Sequence, residues 1–335
     1  MKLHRIVRGI VPLFLLLAFA VVSFGQNAAY RVSAPYTHKN LTIFLIHGKN
    51  ETSKTNILTL QEAMERQIFR VYETSDVNEL AVENISKTFD VFIQSGDIVK
   101  GGKQDRVLAI SIIIPARSGR VLIEAYCVES GRWQKRKGED VGQFSSSNDR
   151  IVSKELKLAA NGVRSQSEVW AKVSEAQTNL SKNLGGSVAA AESRTSLQLS
   201  LENGRVATTA NEYVNKFANL IDSKSDVVGY AFAINGKINS ADVYASNTLF
   251  KKLWSKMLKA AAVEAVSEGV SRVATPPKPE AVKNFLIDAD SAVSNEREVS
   301  GGATVVTRDK KDSAVYEARD DRSKVIVHRS YIKKN

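Results

Sequence analysis

Apolar residues recur along this chain in two rhythms, and the switches between them mark out its elements. The run Leu41–Ile46 (LTIFLI) is short, rich in β-branched residues and almost continuously apolar, which predicts a strand. Thr59, Leu60, Gln61 and Glu62 then form a capping box, in which the Thr hydroxyl and the Glu carboxylate each satisfy a free backbone amide. A helix is expected from there to about Phe69. Strand-like runs follow at Arg70–Thr74, Glu79–Asn84, Val91–Gln94, Val107–Ile114 and Val121–Glu129, separated by turn-prone or polar residues, which predicts antiparallel pairing. In Val107–Ile114 one face reads Leu108, Ile110, Ile112, Ile114 and the other Val107, Ala109, Ser111, Ile113. Both faces are largely apolar, so this run is expected to be one central strand covered on both sides and ended by Pro115.

The rhythm then lengthens to that of helices. Ser165 and Glu168 make a second capping box, followed at helical spacing by Val169, Val173, Ala176, Leu180 and Leu184, with Gly185-Gly186 as the stop. A third box, Thr209 to Glu212, is expected to open a helix carrying Tyr213, Phe217 and Leu220. Residues 227–244 (VVGYAFAINGKINSADVY) set Asn235-Gly236, a pair suited to a type I′ turn, between two strand-like runs, which predicts a hairpin. Leu249, Phe250, Leu253, Trp254, Met257, Leu258, Ala261, Ala262 and Ala265 trace one broad apolar helix face, stopped by Gly269. The proline-rich stretch 275–280 (TPPKPE) leads into a helix expected over Glu280–Val293. Two or three strands close the chain, the last in KVIVHRSYI. The fold class is therefore α+β: antiparallel β-sheets, like a sandwich or half-barrel, with four or five packed helices.

Composition adds a destination. Lys2, Arg5 and Arg8 precede an apolar run from Ile10 to Val22, and Ser23 and Gly25 sit at −3 and −1 of a cut before Gln26. That is the layout of a secretory signal peptide over 1–25. The apolar run is shorter than the roughly 20 residues that a spanning helix needs. The formal charge is +11, falling to +8 once the three leader cations are removed. An exported (periplasmic or extracellular) basic protein can make peripheral contact with anionic envelope surfaces or acidic glycans; nucleic acid is not an expected partner there. Cys127 is the only cysteine, so no intrachain disulfide can form. Stability must come from a core, which 43% apolar content can supply.

Several chemistries are missing. Outside the leader only His38, His47 and His328 occur, and no HExxH or CxxC motif is present, so neither a metal site nor a cofactor is expected. There is no G-x-S-x-G and no G-x-G-x-x-G. In GDIVKGGKQDR (96–106) the spacing of Gly96 and Gly101 imitates a P-loop, but Gly102 stands where Lys belongs, and the loop joins two strands instead of entering a helix. Nucleoside triphosphate hydrolysis is excluded.

The same loop has two open readings. Its glycines can point backbone amides at an anion, with Lys103, Gln104 and Arg106 adding donors, or it can be a turn with a solvated tip. In CVESGRWQKRKGE (127–139), Glu129, Arg132 and Trp133 can orient and stack a flat or sugar-like ligand, or Trp133 can pack while the basic run faces water. Cys127 shares a strand face with Val121, Ile123 and Ala125 and reads as a buried small hydrophobe. Asp97 or Asp105 with Glu129 supplies a carboxylate pair of the kind that supports hydrolysis. Lys251, Lys252, Lys256 and Lys259 can line an anionic membrane or simply the wet side of a core helix.

GDIVKGGKQDRVL, then IPARSG, then CVESGRW, with SQSEVW near 170, GYAFAINGKINSADVYAS with LFKKLWSKML, and the closing VIVHRSYI, make the chain similar to the ARPP family, whose domain is named for its association with ADP-ribosylglycohydrolases and rhodanese-phosphatases. The resemblance runs from about residue 33 to the end. It implies one domain over 26–335, undivided by the proline-rich stretch. It also implies a shared ligand site at Gly101, Gly102, Gln104, Arg106, Glu129, Arg132 and Trp133, with Gln166 and Trp170 as an addition. The family's name comes from gene neighbours, so it implies ADP-ribose or a related nucleotide derivative as ligand without implying a reaction. The expected function is an exported binding or envelope-associated module without catalysis; the alternative is a hydrolase of a glycosidic or phosphorylated, ADP-ribose-like ligand. An inward cleft lined by Gln104–Arg106 and Glu129–Trp133 favours the alternative.

Overall fold

Every residue of Leu41–His47 is buried, and the alternation of its side chains shows why. Leu41, Ile43 and Leu45 enter one hydrophobic cluster, and Phe44 and Ile46 enter a second on the opposite face. A strand apolar on both faces belongs inside a sheet, paired along both edges and covered on both faces. The computed structural model, which describes residues 30–54, 56–74, 76–132, 136, 142–150, 153–271, 275–299 and 302–334, puts it there. The expected signal peptide, Trp133 and most of the basic run after it lie outside the described residues.

The architecture is α+β. A nine-stranded antiparallel sheet runs in the order Arg31–Val32, Leu41–His47, Val227–Ile234, Lys237–Tyr244, Val325–Lys333, Ser313–Asp320, Ala303–Asp309, Ser294–Val299, with Tyr36–His38 paired beside Leu41–His47. A six-stranded sheet runs Phe144–Arg150, Asp97–Gly101, Arg106–Leu108, Arg120–Cys127, Glu79–Asn84, Phe69–Glu73. In a third, of three strands, Asp90–Ile93 lies between Ile112–Ile114 and Ile57–Thr59, the last pairing being parallel. A half-barrel is part of this antiparallel assembly. The long helix Asn247–Glu268 covers one face of the large sheet, where Leu253, Trp254, Met257 and Leu258 join Tyr230 and Phe232. The helix Pro279–Asp290 covers the other through Val282, Phe285 and Leu286. No described helix is long and apolar enough to cross a membrane.

Local signals act as their chemistry dictates. Both bonds of the Thr59–Glu62 capping box are formed, but the helix ends at Glu65, because Gln67 turns the chain at φ +58° into the strand Phe69–Glu73. Asn235 (φ +50°) and Gly236 (φ +75°) make the left-handed turn of the hairpin. The helix expected to start at Thr209 starts earlier, at Gly204, where the Asn203 side chain caps it and Val206 and Ala210 extend the buried stripe. Four strands, not two or three, close the chain.

One difference positions a site. Val107–Ile114 is not one strand. Arg106–Leu108 pairs with Arg120–Cys127 in the six-stranded sheet, and Ile112–Ile114 pairs with Asp90–Ile93 in the three-stranded one. Between them Ala109, Ile110 and Ser111 step from sheet to sheet. Ala109 is still held by its amide to the Glu124 carbonyl, at 2.9 Å.

Candidate functional site

The loop 102–105 is the tip of a hairpin between Asp97–Gly101 and Arg106–Leu108. Gly101 (φ +117°) and Gly102 (φ +58°) are required by geometry. A Cβ on Gly101 would lie 2.5 Å from the Gln143 carbonyl, and one on Gly102 would lie 2.4 Å from the Phe144 ring. The loop does aim amides at anions, but at the protein's own. Gly101 N donates to Asp105 Oδ1 at 3.1 Å, and Lys103 N donates to Glu73 Oε1 at 2.9 Å.

The side chains behind the loop are buried and mutually bonded. Gln104 Nε2 donates to the Glu129 carbonyl at 2.9 Å and Gln104 Oε1 accepts from Arg106 at 3.0 Å. The Arg106 guanidinium also meets Cys127 Sγ and Glu73 (3.4 Å), so its carboxylate partner is Glu73 and not Glu129. Arg132 joins two carboxylates, with Nε 2.8 Å from Glu129 and NH2 3.7 Å from Asp105, while Arg136 grips Asp105 in a fork at 2.7 and 2.9 Å. Burial raises the Asp105 pKa and the Arg136 fork opposes it. Burial likewise raises the Cys127 thiol against the charge of Arg106. The expected cluster of Gly101, Gly102, Gln104, Arg106, Glu129 and Arg132 is thus brought together. Gln166 is close by, its side-chain amide bonding both N and O of Cys127 at 2.8 Å. Of the two carboxylate pairings, Asp105 lies with Glu129 through their shared Arg132. Asp97 instead meets Lys256 (3.0 Å) and Arg150 (3.8 Å). Lys252 and Lys259 also reach carboxylates, Glu62 and Asp149, so these lysines tie the long helix to its neighbours.

A second place has more room. A cavity of about 590 Å³ opens where the sheet-to-sheet step meets the last strands of the large sheet. Ser95, Ser111, Asn161, Arg164, Arg297 and Tyr316 are in its wall. A π-helical turn, Ala159–Val163, forms one side and ends with Arg164 in the left-handed region. Arg164 and Arg297 converge on one carboxylate, Glu124. Burial pushes the Tyr316 hydroxyl up to about 12, so it stays a donor at neutral pH.

Behind Ser111 a polar relay leads inward. Ser111 Oγ lies 2.9 Å from His328 Nδ1, and His328 Nε2 lies 3.0 Å from Asp242 Oδ1. Asp242 and His328 come from adjacent strands and are diagonal neighbours, since Asp242 pairs with Ser330 and Tyr244 with His328. The Tyr244 ring stacks on the imidazole at 4.7 Å and Phe92 meets its edge at 5.9 Å. Burial alone would raise the Asp242 pKa, but the hydrogen bond and charge of His328, with Lys157 and Arg150, hold it down at about 2.

The family model of the ARG and Rhodanese-Phosphatase-superfamily-associated Protein domain, ARPP-1, matches residues 29–332. The chain belongs to the ARPP-1 family. No curated protein and no solved structure matches it. In this ARPP-1 chain the match spans both the hairpin cluster and the cavity. The sequence reading missed Ser111, His328 and Asp242. For Ser111 and Asp242 the available signal was polarity out of place, since each stands between buried apolar neighbours; His328, between Val327 and Arg329, carried no such signal.

Proposed function

We propose that this ARPP-1 protein is an exported ligand-binding protein whose cavity takes a small anionic molecule, such as a sugar bearing a phosphate or carboxylate. One observation carries the reading. Two guanidinium groups, Arg164 and Arg297, share the single carboxylate of Glu124 at a 590 Å³ cavity that also offers the hydroxyls of Ser95, Ser111 and Tyr316. Asp309 and Glu317 also line the cavity, but Lys334 holds the first and Arg308 and Arg329 hold the second, so positive charge remains in excess around it. That charge suits an anion, guanidinium forks fit phosphate and carboxylate oxygens, and the hydroxyls suit a polyol. Export rests on the charged, apolar and small-residue pattern of residues 1–25.

Thermal shift and calorimetry with ribose 5-phosphate, glucose 6-phosphate, galacturonate and ADP-ribose test the reading. At least one compound should raise the melting temperature of the wild type. Thr307→Trp, which fills the cavity from the strand Ala303–Asp309, should abolish the shift. No shift in the wild type, or an undiminished shift in Thr307→Trp, refutes the cavity. Loss of the shift in Arg106→Ala with its retention in Thr307→Trp moves binding to the hairpin cluster.

A further inference from the structure

We propose that Ser111, His328 and Asp242 act as nucleophile, general base and positioning carboxylate for acyl transfer, and that the cavity hydrolyses small esters carrying an anionic group. The anionic preference rests on the binding reading above; the chemistry rests on the relay alone.

The arrangement assigns its own protons. An ionised Asp242 can only accept, so His328 Nε2, at 3.0 Å, carries the hydrogen. In the neutral ring the lone pair is then on Nδ1, which faces Ser111 Oγ at 2.9 Å. The order of contacts is that of a serine nucleophile, a base and a carboxylate that orients it, and such a set is recognised by geometry and not by sequence order. Stacking by Tyr244 and the edge of Phe92 fix the ring plane. A histidine that merely satisfied its two nitrogens in a core would have no reason to present its partner to open space. Ser111 is half-buried and stands in the cavity wall, whereas His328 and Asp242 are sealed behind it.

Two further features suit the reaction. The Ser95 amide donates to Ser111 Oγ at 2.9 Å, which orients that oxygen and stabilises its charge as it leaves the acyl group in the second half-reaction, and a guanidinium bond from the buried Arg150 to the Ser95 carbonyl, on the adjoining peptide, anchors the segment. Asn161 sits on the π-helical turn, a distortion that recurs at functional sites. Its Oδ1 accepts from Ser95 Oγ at 2.9 Å, and its Nδ2 has no hydrogen-bond partner among the described residues. That amide is the candidate donor to the carbonyl oxygen of a bound ester.

In the first half-reaction Ser111 Oγ attacks the ester carbonyl carbon while its proton passes to His328 Nδ1. The carbonyl electrons return, the bond to the alcohol oxygen breaks, and His328 gives the proton to the departing alcohol. In the second, water attacks the acyl carbon, its proton passes to His328 Nδ1, the carbon–Oγ bond breaks, and Ser111 recovers the proton. One ester and one water give one acid and one alcohol.

Full-length protein treated with a biotinylated fluorophosphonate, digested and read by mass spectrometry, tests the assignment. Label is expected on Ser111 and not on Ser95 or Ser330 of the same cavity. It should vanish in Ser111→Ala and form at least 100-fold more slowly in His328→Gln. With p-nitrophenyl hemisuccinate, Asp242→Asn should lower kcat at least tenfold at unchanged KM, a split that general loosening of the fold would not give. An unlabelled Ser111 in folded wild type overturns the proposal, as does label spread over Ser95 and Ser330, or equal labelling of folded His328→Gln. The wild-type comparison among the three serines decides the matter even if His328→Gln fails to fold. A protein that binds but does not label refutes acyl transfer alone, and one that labels but binds no anion refutes the binding reading alone.

Discussion

Glu264 lies in the long helix Asn247–Glu268 with 2% of its surface exposed. Its Oε1 accepts from Asn239 Nδ2 at 2.8 Å and from Lys154 N at 2.9 Å. Burial outweighs these bonds and the charge of Lys157, so its pKa is raised from 4.5 to about 7. The folded state therefore holds a proton that the unfolded chain releases near pH 4.5. Stability from this group is fully present below about pH 4.5 and is lost as pH rises through about 7. At about 1.4 kcal/mol per pKa unit, the loss amounts to about 3 kcal/mol. Glu264→Gln keeps the carbonyl that both donors need and removes the titration. Urea unfolding of the two proteins at pH 4.5, 6, 7 and 8 should therefore show the variant gaining on wild type by about 3 kcal/mol across the range. Comparing the two proteins cancels other groups. Asp242, held at about 2, acts in the opposite sense and in a separate window, its contribution being lost as pH falls below 3.8. A difference in stability that stays flat between pH 4.5 and 8 would mean that Glu264 is solvated and ionised in the native protein.

Two more outcomes follow from the packing and the leader. Leu253, 4% exposed between the long helix and the large sheet, should cost roughly 2–5 kcal/mol on change to Ala, measured as a lower denaturation midpoint at unchanged slope. Protein collected from its native host should begin near Gln26 by intact-mass spectrometry, and an intact Met1 on soluble product would remove the export reading.

What the sequence disclosed was local. The Thr59–Glu62 box, the Asn235-Gly236 turn and the stop at Gly269 (φ +69°) need only near neighbours, and each is formed. A strand–turn–strand at residues 96–106 was legible from its glycines, although the strand Asp97–Gly101 was not among the expected runs, and the family resemblance grouped its buried partners. The Arg106–Glu73 pair was not legible, because nothing in the strand pattern says which carboxylate a buried guanidinium will meet. The relay was hidden for a stronger reason. Ser111 and His328 are 217 residues apart and meet only where the step packs against the large sheet, while His328 and Asp242 are 86 apart and meet only through strand order and register. The apolar alternation through Val107–Ile114 also concealed the break, since both halves keep a strand's pattern while belonging to different sheets.

That break has a consequence for how the molecule tolerates change in length. Side chains on strands alternate with a period of two, so Ala109–Ser111 sets the phase between two sheets. Deleting or inserting one residue there would turn Ile112, Ile113 and Ile114 over, and because all three are buried each would meet the packing meant for the opposite face. The step therefore keeps the frame in which Ser111 faces open space, and the hairpin tip upstream is no freer in length, since Gln104 and Asp105 are fully buried and bonded there.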